Sequence, residues 1–244
     1  MQQIQPTHSF LKANSEGTAM YVTATQTTDE FRRTMLETPS IARNRTMTIK
    51  PGKHLFLEGD SADRIFEVAS GVLRLTRIME DGRRQVIAFG YPGDTVGFPS
   101  DGLYHTDCDA LVPTTLVVHR RRYLDAPNGD LGLHQRLLRA ALREISGMQD
   151  HFMMLGRKSS IEKLASFLQV LTDRVGEPLG DFDQVTLPMT RADIADFLGL
   201  TTETVSRTFT QLRKSQIIAI DHVNTIIILK PIALQCIAQG DQEI

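Results

Sequence analysis

From Leu131 to Leu155 the apolar residues fall on one line. Leu131, His134, Leu138, Ala141, Ile145, Met148, Phe152 and Leu155 are separated alternately by three and four residues, which is the spacing of a coiled-coil seam. A stripe this narrow on a helix this long packs against another helix, and a second copy of the chain across a twofold axis supplies one. The other arrangement compatible with the pattern is a helix lying along a β domain of its own chain. Arg136, Arg139 and Arg143 lie off the line, and no Asp or Glu interrupts it. The expectation is a homodimer joined through Leu138, Ala141, Ile145, Met148, Phe152 and Leu155, with His134 setting register.

Upstream of Pro127 the texture differs. From Thr46 to Leu124 short β-rich runs alternate with Gly52, Gly59, Gly71, Gly82, Gly93 and Gly97. Strands with turns at this spacing predict an antiparallel jelly roll. Asp81-Gly82 between two apolar runs marks a hairpin, and Pro92-Gly93-Asp94 marks another turn. The first 28 residues, rich in Thr, Gln and Ser, read as a flexible leader, followed by a short helix around Asp29–Leu36.

Downstream, Gly156 interrupts the long helix and Ser159-x-x-Glu162 offers a capping box for the next. After that helix the chain reads loop (GEPLGDFDQ), helix, turn, helix, then two strands turning near Asn224. The expected fold class is therefore α+β: an N-terminal β jelly roll, a long dimerisation helix and a C-terminal winged helix-turn-helix. The expected divisions are 1–28, 29–126, 127–156 and 157–244, with an inter-domain hinge at Gly156–Ser159.

Composition removes several functions. With 27 Lys+Arg against 29 Asp+Glu the net charge is −2, so no strong basic field draws nucleic acid or membrane indiscriminately. No run reaches the ~18 to 20 apolar residues of a membrane span, and the polar start lacks a signal-peptide pattern; a cytoplasmic location is expected. Two cysteines, Cys108 and Cys236, cannot build a disulfide framework, a Cys-based zinc site or a four-thiolate cluster. His105-Thr-Asp-Cys108 reads as a solvated polar loop rather than a haem or metal site. No nucleophile–base pattern or phosphate loop is present, so no enzyme, no metal and no cofactor is expected.

Function concentrates in LPMTRADIADFLGLTTETVSRTFTQLRKSQII. Thr190 can cap a helix starting at Arg191, and Thr201 can cap a second. Ala195 is small where helices approach, Gly199 sits at the turn, and Val205 faces inward. These offsets describe a helix-turn-helix, the other reading being an ordinary helical hairpin. Glu203, Ser206 and Arg207 share the outward face of the second helix. A carboxylate there can accept from cytosine and a guanidinium can bond guanine, or the two can pair with each other. Leu187–Gln216 holds four basic residues against three acidic ones. Helix N-termini and hydroxyls must then supply phosphate contacts. The expected backbone contacts are Thr190, Arg191, Thr201, Thr202, Thr208 and Arg213.

This combination of β-roll, long helix and winged helix-turn-helix resembles the cyclic-AMP receptor/FNR superfamily of bacterial regulators from about Thr46 onward. MTRADIADFLGLTTETVSR is similar to the FNR type, and DGRRQVIAFGYPGDTVGF to the FixK-like branch. The resemblance implies transcription activation on double-stranded DNA at an inverted repeat of the TTGAT-N4-ATCAA kind. It also implies microaerobic respiration or nitrogen-fixation genes as targets, and an RNA polymerase contact on the Met79–Arg84 hairpin through Glu80, Asp81 and Arg83. Residues 1–107 contain no cysteine, which excludes the N-terminal cluster of oxygen-sensing relatives. Where cyclic-nucleotide binders carry Gly-Glu, this chain has Gly97-Phe98, and residues 93–119 hold no Lys or Arg. Asp94, Asp101, Asp107 and Asp109 are expected to repel an anion there. The alternative function is a ligand-gated regulator or repressor that uses the β-roll pocket for a cyclic nucleotide, haem or another small molecule.

Overall fold

The computed structural model describes residues 45–98, 101–122 and 130–241; the expected leader and the helix at Asp29–Leu36 lie outside them. Eight strands form the N-terminal unit: β1 (Arg45–Ile49), β2 (His54–Phe56), β3 (Arg64–Ser70), β4 (Leu73–Ile78), β5 (Arg84–Gly90), β6 (Thr95–Val96), β7 (Asp107–Ala110) and β8 (Thr114–Arg120). They pair into two four-stranded sheets, ordered β1-β8-β3-β6 and β2-β7-β4-β5, and every pairing is antiparallel. This is the anticipated jelly roll. Alternating inward residues such as Phe66, Val68, Leu73, Leu75 and Leu116 fill it. The Asp81-Gly82 turn forms as expected, with Gly82 at φ +82°, in the left-handed region that a Cβ would strain.

Cys108 corrects the sequence reading. It lies on β7, fully buried in this core, not in a solvated loop, and burial pushes its thiol well up, reinforced by Asp109 and Asp107. A thiol held protonated in an apolar core is inert. His105 does stay exposed, bonded to Asp101 at 2.9 Å.

Helix α1 (Leu131–Arg157) is the expected long helix, capped by the Asp130 side chain. It runs through Gly156 without interruption and ends at Lys158, so Gly156 itself is helical and not a break. Two stripes run along it. Leu133 and Leu137 pack on Ile65 and Phe98 of the β-roll, and further along His151 and Met154 are also buried. The seam lies beside them and stays outside: Ile145 is 54 % exposed and Phe152 is 67 % exposed, with Leu138 and Met148 also open. One stripe covers the chain's own β-roll, and the other stays largely exposed in the single chain, with Leu155 at its end half-buried.

The C-terminal unit contains α2 (Ser160–Val175), β9 (Glu177–Leu179), β10 (Phe182–Thr186), α3 (Arg191–Leu198), α4 (Thr202–Lys214), β11 (Ile218–Ile220), β12 (Thr225–Ile228) and α5 (Pro231–Gln239). Glu162 accepts from the Ser159 amide, closing the anticipated cap of α2. The segment GEPLGDFDQ, expected as a loop, is a hairpin instead, its strands turning at Gly180 with φ +62°. It joins the predicted wing in one sheet, β11-β12-β10-β9. Helix α5 was not anticipated; its start at Pro231 and its left-handed Gly240 stop are the usual start and stop residues. Among the described residues no helix is long and apolar enough to cross a membrane.

One apolar core crosses from the β-roll to the C-terminal unit. Phe89 of β5, Phe167 of α2 and Phe197 of α3 meet with ring centroids 5.3 to 6.3 Å apart. Val72, Val86 and Tyr91 extend the same cluster. At its edge Arg174 of α2 donates to the buried Asp94 carboxylate at 2.8 Å. His151 of α1, 8 % exposed, lies 4.4 Å from the Phe197 ring. Burial, with nearby Lys163, pushes its pKa down to about 4 from 6.5. The unfolded chain therefore takes up a proton near pH 6.5 that the folded one refuses until about pH 4, and stability falls as pH drops through that window. The loss should be on the order of 3 kcal/mol. Urea unfolding at pH 7 and pH 4.5 measures it, and His151→Phe should flatten the difference; an unchanged slope would exclude His151 as its source.

Candidate nucleic-acid interface

Helices α3 and α4 are set by three local devices. Thr190 and Asp193 cap each other: the Thr190 hydroxyl accepts from the Asp193 amide at 3.1 Å, and Asp193 Oδ2 accepts from the Thr190 amide at 3.0 Å. Gly199 turns the chain at φ +61°. Thr201 Oγ1 accepts from the Thr204 amide at 3.1 Å and starts α4. Ala195 and Val205 are buried between the helices, as their spacing required.

The outer face of α4 carries Glu203, Ser206 and Arg207. Glu203 is 77 % exposed and Arg207 is 71 % exposed, and their charged ends stand 3.6 Å apart. An exposed pair of this kind is weak, so either group is released readily to a stronger partner. The Ser206 hydroxyl donates back to the Thr202 carbonyl at 2.9 Å and has to rotate to meet a base. A shallow groove continues along the same face past Thr210, Gln211 and Lys214. Sequence reading passed over these three, although they repeat the spacing of 203, 206 and 207 one and two turns later.

The backbone-contact residues separate into two groups. Thr190, Thr201, Thr202 and Arg213 are at the surface. Two others are corrected. Thr208 is 4 % exposed and its hydroxyl donates to the Thr204 carbonyl, so it faces the core of the domain. Arg191 lies over Phe209, its guanidinium carbon 3.3 Å from the ring centroid. Burial pushes its pKa down to about 10; it packs the two helices together and is not aimed at a phosphate.

The local charge is more favourable than the count over Leu187–Gln216 suggested. Asp193 Oδ1 accepts from Arg74 at 2.6 Å and from Arg84 at 2.7 Å, and Asp196 Oδ2 accepts from Arg84 at 2.7 Å. Both arginines come from the β-roll. Burial alone would raise the Asp193 carboxyl, but the bonds from Thr190 and Arg74 outweigh it and hold it below its ordinary value. Glu203 is then the acid of this segment left on the outer face of α4.

A second concavity of about 450 Å³ lies between the β-roll and α1. Phe56, Leu75, Ile87, Phe98 and Tyr104 line it from the β-roll, and Met148, Phe152 and Leu155 close it from the helix. Asp94 and Asp109 do not line this space but are paired with Arg174 and Arg74, and Arg77, outside the 93–119 window, does line it. Phe98, the apolar walls and the Glu144 carboxylate, rather than the four aspartates, disfavour a phosphate. Among the described residues no group of three His, Cys, Asp or Glu could hold a metal ion.

The hairpin tip, Glu80-Asp81-Gly82-Arg83, is exposed, with Arg83 Nε on Asp81 at 2.7 Å.

Comparisons with known proteins agree with this architecture. Residues 162–237 match the Crp-like helix-turn-helix domain and residues 46–126 match the cyclic nucleotide-binding domain. The chain is 38 % identical over 188 residues to the nitrogen fixation regulation protein FixK of Rhizobium meliloti (strain 1021), covering 77 % of this chain and 84 % of that one. It is 34 % identical to the transcriptional activator protein FnrL of Cereibacter sphaeroides, over 72 % of this chain and 73 % of that one. The solved structure of FixK2 from Bradyrhizobium japonicum superposes with a TM-score of 0.72 at 29 % identity, covering 80 % of this chain and 96 % of that one.

Proposed function

The chain belongs to the Crp/FNR family of transcription regulators, on its FixK-like branch, a family of DNA-binding proteins and not of enzymes, and from that membership we propose that it activates transcription as a homodimer on an inverted repeat of the TTGAT-N4-ATCAA type. The observation that carries this reading is the pairing of two bare faces on one chain. The seam of α1 leaves large apolar side chains in solvent, and the outer face of α4 leaves Glu203 and Arg207 in solvent. A twofold axis through the first covers it and sets the second in successive major grooves, about one helical turn apart. Arg207 reads guanine, Glu203 the cytosine opposite or beside it and Ser206 the adjoining A·T region. Thr190, Thr201, Thr202 and Arg213 hold the phosphates.

In this reading neither a cluster nor a cyclic nucleotide is required, and activity follows the amount of protein in the cytoplasm. The target genes are those of microaerobic respiration or nitrogen fixation, the second in keeping with the relative named a nitrogen fixation regulation protein. The exposed hairpin tip, through Glu80, Asp81 and Arg83, contacts RNA polymerase.

Footprinting the purified, untreated protein in air on a TTGAT-N4-ATCAA fragment tests the proposal. Protection without added nucleotide or iron is expected, with no heat on titrating cyclic AMP or cyclic GMP. A requirement for either would overturn the ligand-free reading. On the same template Glu80→Ala with Asp81→Ala should lower transcription while operator affinity holds; equal loss of both argues against the polymerase contact.

A second reading has a specific observation behind it. The 450 Å³ concavity is walled by Met148, Phe152 and Leu155, which belong to the dimer seam. An apolar small molecule seated there would act directly on the seam and gate the dimer. Operator binding that rises only with such a compound would favour this alternative.

A further inference from the structure

The helix-turn-helix is clasped to the β-roll through its first helix. Arg74 of β4 holds Asp193, and Arg84 of β5 holds both Asp193 and Asp196. Arg74 is itself fixed, its Nε and Nη2 bonding the Asp109 carboxylate at 3.1 and 3.0 Å. Gln85, next to Arg84, donates its amide to the Asp196 main-chain carbonyl. The partners are 109 to 119 residues apart in the chain. They lie beside the Phe89–Phe167–Phe197 contact, while Arg174 and Asp94 bind across the same junction.

We propose that Arg74, Arg84, Asp193 and Asp196 are positioning residues for DNA recognition, a clasp that locks the helix-turn-helix onto the β-roll in the orientation that binds the operator. This rests on the dimeric DNA-binding reading above. Two observations give the clasp its direction. It grips α3 and leaves the reading face of α4 uncovered, whereas a contact that held the protein inactive would have to cover or misdirect that face. It also neutralises two carboxylates on the helix that approaches the phosphates, which favours the bound state. Without the clasp the domain would be held by the Phe89–Phe167–Phe197 contact and the Arg174–Asp94 pair alone and would tilt about them, and each dimer would spend part of its binding energy on restoring one spacing.

Spacing is therefore the readout. Operator affinity is measured by fluorescence anisotropy on half-sites separated by four and by six base pairs, the longer spacer rotating one half-site by about 70°. The wild-type protein should discriminate sharply between them. Arg84→Gln and Asp196→Asn should each weaken binding to the four-base-pair operator about tenfold. Each should leave the six-base-pair affinity nearly unchanged, so that discrimination drops by a similar factor. The double variant should be no worse than the poorer single one.

The two substitutions separate positioning from simple charge. Arg84→Gln removes a positive charge and Asp196→Asn a negative one, so an effect of net charge on phosphate affinity would move them in opposite directions. A shared loss of spacer discrimination supports the clasp. Discrimination equal to wild type in both variants, checked for folding by circular dichroism, overturns it. Tighter binding by both overturns it too, because the contact would then be holding the domain back. If the wild-type protein binds neither operator, the DNA-binding reading itself fails and the clasp fails with it.

Discussion

Ile145→Glu is expected to turn a micromolar dimer into a folded monomer and to abolish operator protection. Ile145 is more than half exposed in the single chain, so its replacement costs the monomer little, and circular dichroism should show an unchanged fold. In a dimer the same side chain is buried twice, once per protomer. Burying an aliphatic side chain contributes about 1.5 to 3 kcal/mol, and the glutamates would also face each other across the axis without counter-charges on the seam. Because only about half of each side chain is left to bury, two copies together remove at least about 1.5 kcal/mol before the repulsion, which weakens association about tenfold or more. Sedimentation velocity at several concentrations measures it. Persistence of the dimer would mean that subunits meet elsewhere. The contrasting substitution is Leu137→Ala, on the stripe that packs the β-roll; it should destabilise the fold and leave the association constant of the surviving folded protein close to wild type.

That contrast shows what periodicity alone could and could not carry. The three- and four-residue steps located the helix and the line Leu138–Leu155, but α1 bears a second apolar stripe through Leu133, Leu137 and Met154. Only the three-dimensional packing assigns the inner stripe to the β-roll. The caps of α2, α3 and α4 were readable because each is a short-range exchange between a hydroxyl or carboxylate and an amide three residues away. The β9–β10 hairpin was not, because its first strand is exposed throughout and shows no alternation to mark it. Thr208 went wrong for a related reason: a threonine on an amphipathic helix gives no sign of its direction until the neighbouring Val205 and Phe209 fix which side is inward. Least legible of all were the contacts of Arg74 and Arg84. Their partners lie more than a hundred residues away, beyond any local pattern, and the acids they neutralise counted in the sequence as opposition to DNA.

Arg207→Ala should produce the largest change in sequence choice. The guanidinium stands on the N-terminal half of α4, 71 % exposed and paired only loosely with Glu203, so little is lost from the free protein when it is removed. On DNA the same group can bond guanine bidentately, which is worth about 1 to 3 kcal/mol of discrimination at each half-site. Two half-sites in one dimer double this to about 2 to 6 kcal/mol, a weakening of roughly thirtyfold or more. Removal of Glu203 has a different expected effect. Glu203→Ala deletes a base-reading carboxylate and also a charge that repels phosphate, so specificity relaxes while affinity for unrelated DNA holds or rises. Selection from a randomised operator, with affinity for an unrelated fragment measured beside it, separates the two. With Arg207→Ala the G·C pair of each TTGA half should drift towards no preference while the flanking positions keep theirs, and operator affinity should fall; with Glu203→Ala the same pair, whose cytosine lies opposite that guanine, should relax while affinity for unrelated DNA holds. Recovery of the full wild-type consensus with Arg207→Ala would remove that arginine from base reading and shift attention to Thr210, Gln211 and Lys214, which continue the same helical face.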